Sequence, residues 1–300
     1  MTILASIPIQ SGAARGILLI LAANFSFAFM DATSKILVSD YSVAQILWVR
    51  FAFFAAFATI WAMARGGLRK GFDSARPWLQ VVRALTLVAE IVCFVFAFRY
   101  MALADTHAIG AIYPLIITAL SALVLGEAVG LRRWTAVAVG FVGVLVILRP
   151  GFSVFDPIAL LPLAGATLFA VYQILTKVVA RSDGTMTIML YTGWIGFAAT
   201  SAVGPFQWTS PDTAGWITLF LAGVFGIIGH MLVIKALEAA PASSLQPFNY
   251  TLLVWATLVG FVMFSDLPDQ WTVAGAGIVV ISGLYTWWRE RRRAAVAGQP

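Results

Sequence analysis

The chain has 300 residues, 61% of them hydrophobic and 11% charged, with a formal net charge of +6. Water-soluble domains run at about 45–50% apolar and about 25% charged, so this composition excludes them. About ten bilayer-spanning helices of roughly 20 residues each occupy some 210 positions, which leaves no length for a separate soluble domain.

Residues Met1 to Ala14 hold no Lys or Arg ahead of a weak apolar stretch that Pro8 interrupts. That is unlike a cleaved signal peptide, and the first span is expected to stay as an anchor. Apolar runs bounded by charge, Gly or Pro predict spans at Gly16–Val38, Val43–Ala64, Trp78–Tyr100, Thr106–Leu125 and Trp134–Leu148. The next five fall at Asp156–Val179, Thr185–Val203, Trp216–Ala236, Ser243–Phe264 and Trp271–Trp288. The runs are continuous and helix-length rather than alternating, which favours helices over barrel strands. Cys93 stands alone, so no disulfide forms within the chain.

Lys and Arg counted near the span ends give the orientation. Arg15, the group Arg65, Arg69, Lys70 and Arg76, then Arg132, Arg133, Lys177, Arg181 and Lys235, and Arg289 to Arg293 collect on one side. Lys35, Arg99 and Arg149 lie on the other, beside Asp40, Asp105, Asp212, Asp266 and Asp269. Both termini are therefore expected in the cytoplasm, and the basic excess reads as a topology signal rather than a nucleic-acid patch.

The chain partly repeats itself. An offset of 137 places Ala102 on Ala239, Tyr113 on Tyr250, Trp134 on Trp271 and Gly140 on Gly277; one of 142 places Phe27, Ala28, Ser34 and Lys35 on Phe169, Ala170, Thr176 and Lys177. With five spans per half, the second half enters the membrane from the opposite face, an inverted repeat. The fold expected is an all-α polytopic membrane protein of ten spans, with a first half at 1–149, a second at 150–290 and a cytoplasmic tail at 291–300.

Asn24-Phe25-Ser26-Phe27-Ala28 up to Lys35, Tyr100-Met101-Ala102-Leu103-Ala104, and Tyr113-Pro114-Leu115 through Leu125-Gly126-Glu127 resemble the drug/metabolite transporter superfamily in its EamA-type branch. The pattern departs where Ala23-Asn24 stands in place of a Trp, and where Phe264 is the counterpart of Glu127. The aromatic-rich spans look most like YddG-type exporters of aromatic and other amino acids. The resemblance implies a pathway lined by spans one to four and six to nine, with export as the direction.

No His-Glu-x-x-His, P-loop or G-x-S-x-G motif occurs, and His107 and His230 are too isolated for a metal site, so no enzyme activity, metal or cofactor is expected. Charges inside a span are costly and mark function by default. Glu90, near the middle of the third span, is either a paired structural carboxylate or a contact for a substrate ammonium or coupling proton. Arg50 and Arg83 lie close enough to span ends to snorkel, and are read as snorkelling or as structurally paired. Asp31 and Lys35, four apart on one helix face, are expected to pair, as a neutralising bridge or as an outer gate. His230 is a packing residue or a proton relay, and His107 is placed at the interface.

Tyr113, Tyr172 and Tyr250 carry hydroxyls that need partners away from water. Asn24, Gln173, Gln246 and Asn249 either face a wet cavity or bond between helices. Trp194 falls mid-span. Pro114 and Pro247, in spans four and nine, each free a backbone carbonyl and can kink their helices, either as hinges or as the functionless kinks common in membrane helices. Gly140, Gly143, Gly275, Gly277 and Gly283 in spans five and ten suit close packing or a homodimer surface.

These readings converge on an inner-membrane transporter that exports aromatic and other neutral amino acids and related metabolites by alternating access, with the lipid bilayer as its surroundings and no nucleic-acid partner. A permease for a nucleoside, sugar derivative or toxic cation, or a non-transporting sensor or assembly partner, stands as the alternative.

Overall fold

A computed structural model describes residues 11–125, 131–148 and 156–297. The N-terminal ten residues, Gly126 and Glu127 of the fourth-span motif, and Arg149 lie outside the described residues. Among those described, every regular element is helical, and the helices are α1 (Ser11–Leu37), α2 (Val43–Ala64), the short α3 (Leu68–Gly71), α4 (Pro77–Phe98), α5 (Leu103–Gly110), α6 (Tyr113–Leu125) and α7 (Leu131–Leu148). They continue as α8 (Leu160–Val179), α9 (Thr185–Ser201), α10 (Thr213–Ala239), α11 (Ala242–Asn249), α12 (Thr251–Phe264) and α13 (Gln270–Ala297).

Seven of these stretches are long and apolar enough to cross a membrane, with α5–α6 and most of α11–α12 each counted as one. The other three expected spans coincide with α7, α9 and α13, whose apolar lengths are shorter: Ala138–Leu148 in α7, 17 residues in α9 and Gln270–Tyr285 in α13.

Local chemistry sets the helix ends. Ser42 Oγ accepts from Gln45 N at 3.1 Å, and Asp212 Oδ1 accepts from Gly215 N at 2.7 Å, so each side chain satisfies one of the amides a helix start leaves unpaired. Pro77 opens α4, where its missing N–H costs nothing. After α2 the chain reverses through Gly66 and Gly67 at φ of 130° and 92°, a region that side chains with a Cβ avoid.

Two spans are interrupted. The fourth divides between Gly110 and Tyr113, and the ninth at Tyr250. Pro114 and Pro247 stand beside these breaks, each lacking the N–H that would bond a carbonyl four residues earlier. Asn24 of α1 repairs one: its Nδ2 donates to Phe248 O and to Thr251 Oγ1, both at 3.0 Å.

The main packing seams are α1 on α10, α4 on α8, α2 on α9 and α7 on α13, with α1 also on α12 and α6 on α8. Small residues allow the close approaches that lipid alone does not drive. Gly229 of α10 receives the Phe27 ring, Gly193 of α9 meets the Ala55 backbone of α2, and Gly143 and Gly275 place α7 against α13 backbone to backbone. Gly140, Gly143, Gly275 and Gly283 of spans five and ten are thus used within the chain, while Gly277 faces open space.

The two arginines near span ends do not snorkel but are buried, and Arg83 has the structural partners that were the other expectation. Arg83 is fully enclosed, donating to Gln80 Oε1 (3.0 Å), Ile188 O (2.9 Å) and Thr192 Oγ1 (2.7 Å), and lies over the Tyr172 ring. It ties α4 to α9. On the same side, Asp183, between α8 and α9, accepts from Ser74 Oγ, from the Ala75 amide at 3.1 Å and from Gln80 Nε2 at 2.8 Å. Burial alone would push its carboxyl upward in pKa; the donors from Ser74, Gln80 and Ala75 outweigh that and hold it below the usual carboxylate range.

Candidate functional site

Where α1, α4, the α5–α6 break, α8, α10 and the α11–α12 break converge, their side chains line a cavity of about 50 Å³. Its walls are largely aromatic. Phe169 meets Tyr113 edge-on at 5.0 Å and Phe27 at 6.4 Å, while Phe94 stacks on the His107 ring at 5.8 Å.

Of the residues singled out from sequence, Asp31, Glu90, Tyr113, His230, Asn249 and Tyr250 line this cavity. Glu90 has no hydrogen-bond or ion-pair partner among the described residues, so its carboxylate is free to meet what enters. The hydroxyls of Tyr113 and Tyr250 and both ring nitrogens of His230 are buried without protein partners. Buried polar groups left open in this way are costly unless water or a ligand completes them.

The pairing expected between Asp31 and Lys35 does not form. Lys35 Nζ, one turn further along α1, reaches Asp266 Oδ2 at 2.8 Å and donates to Met101 O at 3.0 Å. Asp31 instead meets His107, with Nε2 3.1 Å from Oδ2, a close approach without hydrogen-bond alignment. Neighbours from other helices outcompete the partner four residues away because the latter offers one solvent-screened contact, while the lysine here gains a carboxylate and a carbonyl together. His107 is correspondingly a buried cavity residue rather than an interfacial one.

Other expected cavity residues have structural posts. Asn24 caps the ninth-span break as described, and Gln246 donates to Ala242 O while accepting from Asn249 Nδ2. Tyr172 supports Arg83, Gln173 is buried beyond the cavity lining, and Trp194 is 41% exposed on the outer surface, with Nε1 donating to Thr59 Oγ1 at 3.0 Å. Missed by sequence reasoning were Phe27, Met30, Phe94, Phe169 and His107. Phe27 and Phe169 had been superposed by the 142-residue offset, and that pairing was the one signal able to find them.

That offset also joins Lys35 to Lys177. Lys35 binds the carbonyl of Met101 just past α4, and Lys177 donates to Leu237 O and Ala240 O at the end of α10. Lys177 thus gathers carbonyls that the α10 C-terminus leaves open, whereas Lys35 takes one carbonyl from the link between α4 and α5.

A closed helical bundle with long apolar stretches around a central aromatic and acidic cavity defines a multi-pass membrane transport protein. The chain belongs to the EamA-like transporter family, whose profile it matches over residues 14–149 and again over 157–288. It is 24% identical to an S-adenosylmethionine uptake transporter of Rickettsia prowazekii over 87% of this chain and 88% of that one. A riboflavin transporter of Vibrio cholerae is 26% identical, over 93% and 95% of the two chains. A pseudopaline exporter of Pseudomonas aeruginosa is 25% identical, over 89% and 94%. A solved structure 19% identical in sequence superposes at a TM-score of 0.66 over 93% of this chain and 98% of its own, which shows the fold.

Proposed function

We propose that this chain is a secondary transporter for neutral amino acids, aromatic ones foremost, and for metabolites that carry an amino-acid head on an apolar or aromatic body. The observation that carries this reading is the pair of carboxylates, Asp31 and Glu90, set in an otherwise aromatic cavity. Carboxylates take an ammonium or another cation, and the Phe and Tyr faces take the body and add cation–π attraction. S-adenosylmethionine, the cargo named for one relative, has that composition, with an ammonium and a sulfonium as cations.

Movement is by alternating access of two inverted five-span halves, residues 1–149 and 150–290. Two observations favour this. The family profile matches twice, and the seams exchange when each helix is replaced by its partner in the other half: α1 on α10 becomes α8 on α4, and α1 on α12 becomes α8 on α6. Pro114 and Pro247 at the equivalent breaks serve as hinges, and Lys35–Asp266 closes the outer end. The basic loops orient both termini toward the cytoplasm. Export is the direction the sequence resemblance implies; the relatives named above include both an uptake transporter and an exporter. A homodimer through α7 and α13 would use their outward sides, where Val142 and Ile281 are exposed.

The riboflavin relative favours a second reading, a permease for a flat heteroaromatic solute. Purified protein in liposomes, assayed for exchange of labelled phenylalanine, tryptophan, methionine and threonine, separates the two. Saturable flux competed by unlabelled amino acids and by S-adenosylmethionine is expected. Well-folded protein that moves none of them, yet exchanges riboflavin, would replace the first reading with the second.

A further inference from the structure

Arg50 of α2 is 6% exposed, yet no carboxylate among the described residues pairs with it. Its described contacts are Met30 Sδ at 2.9 Å and Ser34 Oγ at 3.4 Å, neither of them charged. A guanidinium presents five N–H donors, so most of this one's capacity is unspent. Asp31 and Glu90 act on it electrostatically, but no described carboxylate lies within the 4.0 Å of an ion pair.

The cation borders a second, smaller space. It measures about 10 Å³, lies between Arg50, Phe51, Phe54, Gly223 and Gly226, and shares Ile91 and His230 with the main cavity. The glycines keep it open: a Cβ on Gly226 would stand 3.5 Å from Arg50 Nη2 and 3.3 Å from Met30 Sδ. His230, with both ring nitrogens unpartnered, stands between the two spaces.

We propose that Arg50 is the anion subsite of the cavity, receiving the carboxylate of the cargo while Asp31 and Glu90 receive its cationic group. This deepens the transport reading and rests on it. A buried arginine without a counter-charge is destabilising, and a carboxylate arriving in a bidentate geometry removes that cost, so binding energy goes preferentially to cargo bearing one. Separation of the cation from both carboxylates is what a zwitterion requires, since a direct Arg50–Glu90 bridge would neutralise the two groups before the ligand could. The site therefore favours cargo with both charges on one molecule over simple amines and simple acids, each of which meets only one of its two poles.

The test uses purified full-length protein in liposomes and in detergent. Exchange of labelled phenylalanine is competed with phenylalanine, with phenylalaninamide, which keeps the ammonium but lacks the carboxylate, and with 3-phenylpropionate, which lacks the ammonium. In the wild type the amide is expected to compete at least tenfold more weakly than phenylalanine. Arg50→Met and Arg50→Lys are expected to bring the two within about threefold of each other, while raising the phenylalanine concentration for half-competition by roughly ten- to a hundredfold, the usual scale for a hydrogen bond to a charged group. Equal competition by amide and amino acid in the wild type, or undiminished discrimination in a folded Arg50→Met protein, would overturn the proposal, and the wild-type arm needs no variant to fold. Sodium chloride or phosphate matching phenylpropionate at equal concentration would reduce the site to general anion screening and overturn it too. Thermal shifts in detergent separate the two levels of the argument. Stabilisation by phenylpropionate but not the amide, lost in Arg50→Met, with no phenylalanine flux would retain the anion subsite and reject the amino-acid reading; no ligand shift and no flux would reject both.

Discussion

Lys35 Nζ stands 2.8 Å from Asp266 Oδ2, so the end of α1 is joined to the segment that follows α12, on the side opposite most of the basic loops. Both side chains are partly exposed, at 16% and 31%. A pair so placed contributes about 0.5–1 kcal/mol, enough to bias a closed state without locking it.

Replacing Asp266 with Asn is therefore expected to increase outward opening roughly two- to fivefold. In a Cys93→Ser background, a cysteine at Ala111 in the cavity wall reports it through its labelling rate with an impermeant maleimide added outside. An unchanged rate would show that the ion pair does not hold the outer end shut.

Glu90 is unpaired in the cavity, and Glu90→Gln keeps its shape while removing the charge. Amino-acid exchange in liposomes is expected to fall at least tenfold, or to lose its dependence on pH. Transport with wild-type rate and pH profile would take Glu90 out of the mechanism.

Gly229 sits against the Phe27 ring, and a Cβ there would come within 2.5 Å of it, as part of the α1–α10 seam beside the cavity. Gly229→Ala is expected to lower stability by about 1–3 kcal/mol, the scale of overpacking in a filled interior. Its unfolding temperature in detergent should drop, and Phe27→Leu in the same chain should restore part of the loss by vacating the contact.

Asp183 links the loop between α8 and α9 to Ser74, Ala75 and Gln80 as a carboxylate. Because its pKa is depressed in the folded protein, its contribution is fully present above the unfolded value of about 3.9 and is lost as pH falls through the folded one. Thermal unfolding of wild type and Asp183→Asn should differ most at neutral pH and converge below about pH 4. A gap that stays constant down to pH 3 would mean that the charge is not what holds the loop.

Charge scarcity, apolar runs and the 137- and 142-residue offsets determined the helical membrane class, most helix boundaries, and the breaks beside Pro114 and Pro247. These are local properties: the hydropathy of a run and the missing N–H of a proline act wherever the chain is placed. The sequence also placed Glu90 and His230 inside the bundle, but the burial of Arg50, Arg83 and His107 followed only from the packing. The sequence could not identify their partners. Lys35 lies one helical turn from Asp31 yet binds Asp266, 231 positions away, and Asp31 faces His107 from another helix. Asn24 and Asn249 look alike in sequence, but the first closes a broken helix whereas the second lines the cavity. Partner choice was decided by tertiary structure, because a buried charge or amide is stabilised by whichever groups the packed helices bring within hydrogen-bond distance, and separation along the chain does not enter that distance. The same packing left Arg50 with no carboxylate among the described residues at ion-pair distance, beside a small space next to the cavity, a property of the assembled bundle that no single helix contains.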